Sequence, residues 1–199
     1  MNIDLAGRNV LVDGSDGVLI AAIALALADN GGAVRRIAPR AQADITADDG
    51  SLLIFVSDGA AGADTGTEGR TGEADRLELL ARTPGLGRVV TVFSAAGIVP
   101  IRGLARFSAE QAGLASLTRT LAMELGPHTR VNGVAVGAYE AGGAVVMSRL
   151  LSHAAVKRPA GLAEIVAAVM CLADPDNSYM TGHVLAVDGG WSAGYARNF

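Results

Sequence analysis

The chain has 199 residues and a mass of 20.1 kDa, half hydrophobic and only 4% aromatic, with 26 glycines and a formal net charge of −4. That suffices for one domain, spanning 1–199, with a substantial core. The acidic balance, with a pI near 5.3, argues against a nucleic-acid surface. No apolar run reaches the ~18 residues of a membrane span, and Met1-Asn2-Ile3-Asp4 lacks the basic start of a signal peptide. The single cysteine, Cys171, cannot form an internal disulfide and sits in an apolar helical run, where it reads as a buried, inert thiol. A cytoplasmic protein is expected.

In chain order, Arg8 to Val12 is a short apolar run that ends at Asp13-Gly14 and predicts a buried first strand. Ile20 to Ala28 predicts a helix stopped by Asn30-Gly31-Gly32. Strands are expected over Ala33 to Ile37, Ser51 to Val56 and Arg88 to Phe93. A long helix follows over Gly103 to Leu125, then a strand over Arg130 to Ala135, a helix over Leu162 to Ala173 and a last strand over His183 to Val187. Between Ser57 and Arg88 only Glu73 to Arg82 has helical character. The stretches 59–72 and 141–144 read as mobile loops. His128 and His183 lack metal-ligand spacing and read as surface or loop residues. Alternation of this kind predicts an α/β fold, a doubly wound parallel sheet of Rossmann type covered on both faces.

The stretch from Val90 to Val136 contains Ser94, then Phe107 thirteen residues on, then Gln111. It resembles the short-chain dehydrogenase/reductase (SDR) family, whose pattern is a Ser, about a dozen residues, then Tyr-x-x-x-Lys. The resemblance covers nearly the whole chain and implies an oxidoreductase scaffold whose proton chemistry has been removed. Carbonyl reduction by hydride needs a proton donor, and an unperturbed Tyr sits near pKa ~10. A lysine one helical turn away lowers that value, holds the cofactor ribose, and shares a helix face with the tyrosine. Phe107 has no proton to give and Gln111 no charge to tune one. Ser94 can still hydrogen-bond a carbonyl but cannot supply the proton alone. Phe107 reads as core packing. Tyr139, shortly after a predicted strand at the sheet's carboxyl edge, is the candidate stand-in.

The resemblance extends to the cofactor site, with departures. The family's first turn reads TGxxxGxG, whose glycines let backbone and helix N-terminus approach a pyrophosphate. Here residues 13–20 read DGSDGVLI and keep the first glycine, Gly14. Ungapped alignment puts Val18 and Ile20 at the other two; a one-residue shift recruits Gly17 but places Leu19 last. Asp13 and Asp16 add negative charge there. At the end of the second strand, where the family often has an Asp for the ribose, stand Pro39 and Arg40. Arg40 would suit a 2′-phosphate, though a solvated loop arginine is the commoner explanation. Asp44 matches an adenine-contacting acidic residue, or serves as a loop cap. The family's Asn-Asn-Ala-Gly is Ser57-Asp58-Gly59-Ala60, and its Pro-Gly is Val136-Gly137. No NAD or NADP is expected on this chain, and Gly14, Arg40 and Asp44 are vestiges.

Two helices are also short or missing relative to the family: one before Leu52, and a long one after Ser57 that carries a further catalytic asparagine. Their loss is expected to expose apolar sheet face unless a strand is displaced or a partner shields it. By contrast, the helix through Gly113 and Leu121 and the tail through Asp188-Gly189-Gly190-Trp191 match well. In relatives these build subunit interfaces, although both also support the sheet. Ala115 and Leu121 are expected at such an interface if they do not face the core. The expectation is therefore a non-catalytic subunit completing a heterotetramer with an intact paralogue, which would hold the NAD or NADP, in a complex acting on an acyl-CoA-type hydroxy or keto substrate. Self-association, a reductase using Ser94 and Tyr139, and a small-ligand sensor are the alternatives.

Overall fold

A computed structural model describes residues 3–37, 45–57, 60 and 72–194. The named elements are β1 (Asn9–Asp13), α1 (Val18–Asp29), β2 (Ala33–Arg36), β3 (Ser51–Val56), α2 (Glu73–Ala81), β4 (Leu86–Ser94), α3 (Ala105–Leu125), β5 (Arg130–Val136), β6 (Tyr139–Ala141), β7 (Ala144–Val146), α4 (Leu162–Ala173) and β8 (Val184–Val187). Short 3-10 turns cover Ala95–Gly97 and Ser148–Leu151.

Six strands form one sheet in the order β2-β1-β3-β4-β5-β8, all neighbouring pairs parallel. The doubly wound order is normally 3-2-1-4-5-6; here β2 is the edge among the described residues. The apolar runs of β1, β3, β4 and β5 are buried because both faces are covered. Their side chains alternate between two cores. Val10, Val12, Ile54, Val92 and Val134 face α1 and α4, whose Leu19, Ile23, Ile165 and Val169 pack on them. Leu11, Leu53, Phe55, Phe93 and Val131 face α2 and α3, through Leu77, Leu80, Leu114 and Leu121. Each fully buried side chain of this size contributes about 1.5–3 kcal/mol.

The expected bare sheet face is not found. Leu11 and Leu53 are buried beneath Leu77, Leu80, Ile37 and the partly buried Ile45 and Ala47. The nine residues of α2 thus replace much of the missing cover. Residues 141–144 are no loose loop: Gly142 and Gly143, both at positive φ, turn an antiparallel hairpin between β6 and β7. That diglycine was a legible hairpin signal. Most of the 59–72 stretch lies outside the described residues. Cys171 is half-buried rather than buried, and His128 and His183 are exposed, as read.

Two polar devices fix α4. Arg158 pairs with Glu164 at 2.7 Å, and the Gly161 N–H donates to the same carboxylate at 2.8 Å, capping the helix start. The Arg158 hydrogen bond, then the Gly161 N–H, holds the Glu164 carboxyl down at about 2, below its ordinary 4.5. A depressed folded-state value means the contribution is complete above pH 4.5 and lost as pH falls towards 2. Glu164→Gln is therefore expected to melt below wild type above pH 4.5, with the two melting curves converging in acid. A gap that stayed constant down to pH 2 would contradict this assignment. At the other end the buried Arg88 guanidinium donates to the carbonyls of Leu172 (3.2 Å), Pro175 (3.3 Å) and Asn177 (2.9 Å). Burial, and then the neighbouring Arg130, bring Arg88 down to about 10, so it stays charged at neutral pH.

Candidate functional site

The carboxyl edge of the sheet brings together Gly14 after β1, Ser57 after β3, Ser94 at the end of β4 and Gly137 after β5. In open parallel sheets this edge is where ligands bind. Gly14 has φ 140°, and a Cβ there would lie 2.5 Å from the Val56 carbonyl oxygen, so the turn requires glycine.

Ser94, Phe107 and Gln111 do converge. Gln111 is 1% exposed, and its side chain is the hub. Its Oε1 accepts the Ser94 N–H at 2.8 Å, and its Nε2 donates to Ser57 Oγ at 3.1 Å. Ser57 Oγ in turn donates to Glu73 Oε2 at 2.8 Å. The amide thus ties β4, β3 and α2 together from α3. The backbone contact is equally close: a Cβ on Gly97 would stand 2.5 Å from the Gln111 carbonyl oxygen. Ser94 is fully buried, its Oγ accepting from the Ala96 N–H at 3.3 Å. Phe107 lies in the core against the α2–α3 side of the sheet, as its apolar ring suggested. The substitution of Gln for Lys was visible in the sequence; that the amide would bind three elements together was not, since two of its partners lie on other strands.

Tyr139 does not reach the position of a proton donor open to substrate. It is 1% exposed, its hydroxyl donates to the Ala60 carbonyl at 2.9 Å, and burial pushes its pKa up to about 12. A phenol so held is a poor acid at neutral pH.

The phosphate-turn residues need two corrections. Val18 is half exposed, so of the two it is Ile20 that enters the space beside Gly14; its Cδ1 would be 2.9 Å from a Cβ there. The acidic pair is not an open negative patch either. Asp13 is buried and held by both Nε (2.8 and 3.0 Å) and Nη2 of Arg76 from α2. Asp16 is fully exposed and pairs with Arg36 at 3.1 Å, whose Nη2 also donates to the Gly14 carbonyl at 2.8 Å. Each carboxylate therefore has its own arginine, so the charge argument against a pyrophosphate is weaker than the sequence suggested. Neither arginine stood out there, because Arg76 lies 63 residues from Asp13. Pro39, Arg40, Asp44, Asp58 and Gly59 lie outside the described residues. No cluster of metal-ligating side chains is found among the described residues, and no described helix is long and apolar enough to cross a membrane.

The interface expectation for α3 is also corrected. Ala115 and Leu121 face the core. The outward face is Ala109, Ala112, Gly113, Ser116 and Met123, the last 77% exposed.

Comparison with known proteins agrees with this architecture. A family model described as enoyl-(acyl carrier protein) reductase, an adh_short_C2 family, matches residues 72–192. Trans-4-hydroxycyclohexanecarboxylate dehydrogenase of Sinomonas cyclohexanicum is 36% identical over 109 residues, 54% of this chain and 42% of that protein. Acetoacetyl-CoA reductase of an Acinetobacter strain is 37% identical over 112 residues, 52% of this chain and 44% of that protein. The matches thus span less than half the length of these relatives. Among solved structures, an SDR from Brucella melitensis aligns with a TM-score of 0.68 at 21% identity, covering 96% of this chain and 99% of that one. Aldohexose dehydrogenase of Thermoplasma acidophilum aligns at 0.69 and 19%, covering 96% of each. At such identities the likeness shows the fold alone. With a parallel six-stranded sheet of that fold and a family match over more than half its length, the chain belongs to the short-chain dehydrogenase/reductase family.

Proposed function

We propose that this chain is a non-catalytic SDR subunit that assembles with an intact paralogue, the paralogue holding NAD or NADP and carrying out the chemistry. The observation that carries the reading is the Gln111 hub. The position of the family's lysine holds a neutral amide whose donor and acceptor are both used on Ser57 and Ser94. A lysine would carry charge and offer donors only. The cofactor site gives the same reading. Ile20 fills the helix–strand contact where the family has glycine, and Arg36 and Asp16 engage each other beside the turn. Tyr139, the residue on which an active but rearranged reductase would depend, is fixed to Ala60. The similarity to an acetoacetyl-CoA reductase makes an acyl-CoA-type hydroxy or keto substrate the setting for such a complex.

Three measurements test the proposal. Calorimetry with the purified chain is expected to give no saturable heat with NADH or NADPH at micromolar to millimolar concentrations. The chain alone is expected to reduce no carbonyl above background, and Phe107→Tyr with Gln111→Lys is expected to leave that unchanged. Turnover by the unaltered chain would overturn the non-catalytic reading, and steady NADPH-dependent turnover by the double variant would overturn the argument that the cofactor site is lost. Co-expression with an intact SDR from the same genome is expected to give a stable heteromer by light scattering. A soluble monomer that stays apart from every such partner would refute the subunit role.

A further inference from the structure

A cleft of about 390 Å³ lies outside the Ser57–Gln111–Ser94 set, between the segment after β4 and the turn after β7. Val99, Pro100, Ile101, Leu150 and Trp191 supply apolar wall, and Arg102, Arg149 and His153 supply the charged or titratable side chains. Among the described residues no carboxylate lines it, in a chain of net charge −4. Arg102 and Arg149 are exposed, and neither guanidinium has a hydrogen bond or ion pair among the described residues. Elsewhere Arg36, Arg76, Arg82, Arg106 and Arg158 are each engaged by a carboxylate. The turn that carries Arg149 begins at an unusual backbone position. Met147, buried and at φ 56°, occupies the left-handed region that a side-chain-bearing residue rarely adopts, and it starts the Ser148–Leu151 turn.

We propose that this cleft binds an amphiphilic organic anion, with a carboxylate held by Arg102 and Arg149 and an apolar body against Ile101, Leu150 and Trp191. The size suits a small molecule, whose sites are commonly ~300–1,000 Å³ with few polar anchors. A guanidinium offers a planar fork that matches a carboxylate, so two free forks at one mouth select an anion over a neutral chain. The apolar wall excludes a small hydrated anion as the preferred ligand, because such an ion would leave that wall uncovered. The inference does not depend on the subunit reading: it concerns this chain alone, and assembly is read separately by light scattering.

Trp191 is the only tryptophan and lines the cleft, so its fluorescence reports occupancy directly. Titration of the full chain with octanoate is expected to give a saturable change, with octanol and inorganic phosphate each at least about tenfold weaker. Arg102→Ala with Arg149→Ala is expected to weaken octanoate binding about tenfold or more and leave the melting temperature unchanged, both side chains being exposed. Arg149→Lys, which keeps the charge without the fork, should fall between. No saturable response to octanoate would overturn the proposal. So would equal binding of octanol with no effect of the arginine substitutions, which would mark a merely apolar surface. Equal binding of phosphate would mark a bare anion site and would overturn it too.

Discussion

Leu121→Arg and Ser116→Arg, five residues apart on α3, are expected to give opposite outcomes. Leu121 is fully buried against the sheet, and an arginine there would place an unpaired charge in the core. A loss of more than about 4 kcal/mol is expected, enough to abolish a cooperative thermal transition in a domain of ordinary stability. Ala115→Arg should behave in the same way, since that side chain also faces inward. Ser116 is exposed beside Ala112, Gly113 and Met123. An arginine there is expected to change the fold's own stability by no more than about 0.5 kcal/mol while dissociating any assembly that uses this face. Circular dichroism and light scattering separate the two effects. An assembled Ser116→Arg variant of unchanged size would remove the α3 face from the proposed interface. A normally folded Leu121→Arg variant would contradict the packing itself.

Removing Arg76 should have the next largest effect. Its guanidinium grips the Asp13 carboxylate, which is buried at the end of β1. Arg76→Ala leaves a buried negative charge, and breaking such a pair from one side costs about 3–5 kcal/mol. A two-sided replacement, Asp13→Asn with Arg76→Leu, is expected to recover a large part of that loss because no lone charge remains. Denaturant unfolding of the two single variants and the double variant measures the coupling. Additive losses would mean that the pair contributes nothing specific. The ion pair also gives α2 a reason to lie where it does: it fastens the short helix to the central sheet at the carboxyl edge.

Much of the fold was legible because it depends on local pattern. The continuous apolar runs at Ser51 to Val56 and Arg130 to Val136 can be satisfied only by burial on both faces, and α4 was bounded to the residue from its apolar period. That Phe107 and Gln111 differ in kind from a proton donor and a cation was equally legible. What sequence spacing did not reveal were pairings between distant segments. Asp13 read as a repulsive charge until Arg76 was placed beside it. Ala115 and Leu121 read as interface residues because family likeness says which helix is used, and not which of its sides. The helical phase does: Ala109, Ala112, Ser116 and Met123, spaced by three, four and seven residues, share the outer face. Tyr139 was correctly placed near the sheet's carboxyl edge, but its depth followed from Ala60, 79 residues away in sequence.

The reach of Arg88 has a consequence for how the protein is made. Its partners are the carbonyls of Leu172, Pro175 and Asn177, synthesised 84 to 89 residues later. At ribosomal rates of ~5–20 residues per second, β4 therefore precedes by roughly 4–18 seconds the carbonyls that accept from its arginine in the folded chain. During that interval the face of the central sheet that α4 covers stays open to solvent. A product ending before Asn177 would lack at least one of the three carbonyls that hold this cation, and with it part of the tie between β4 and the end of α4.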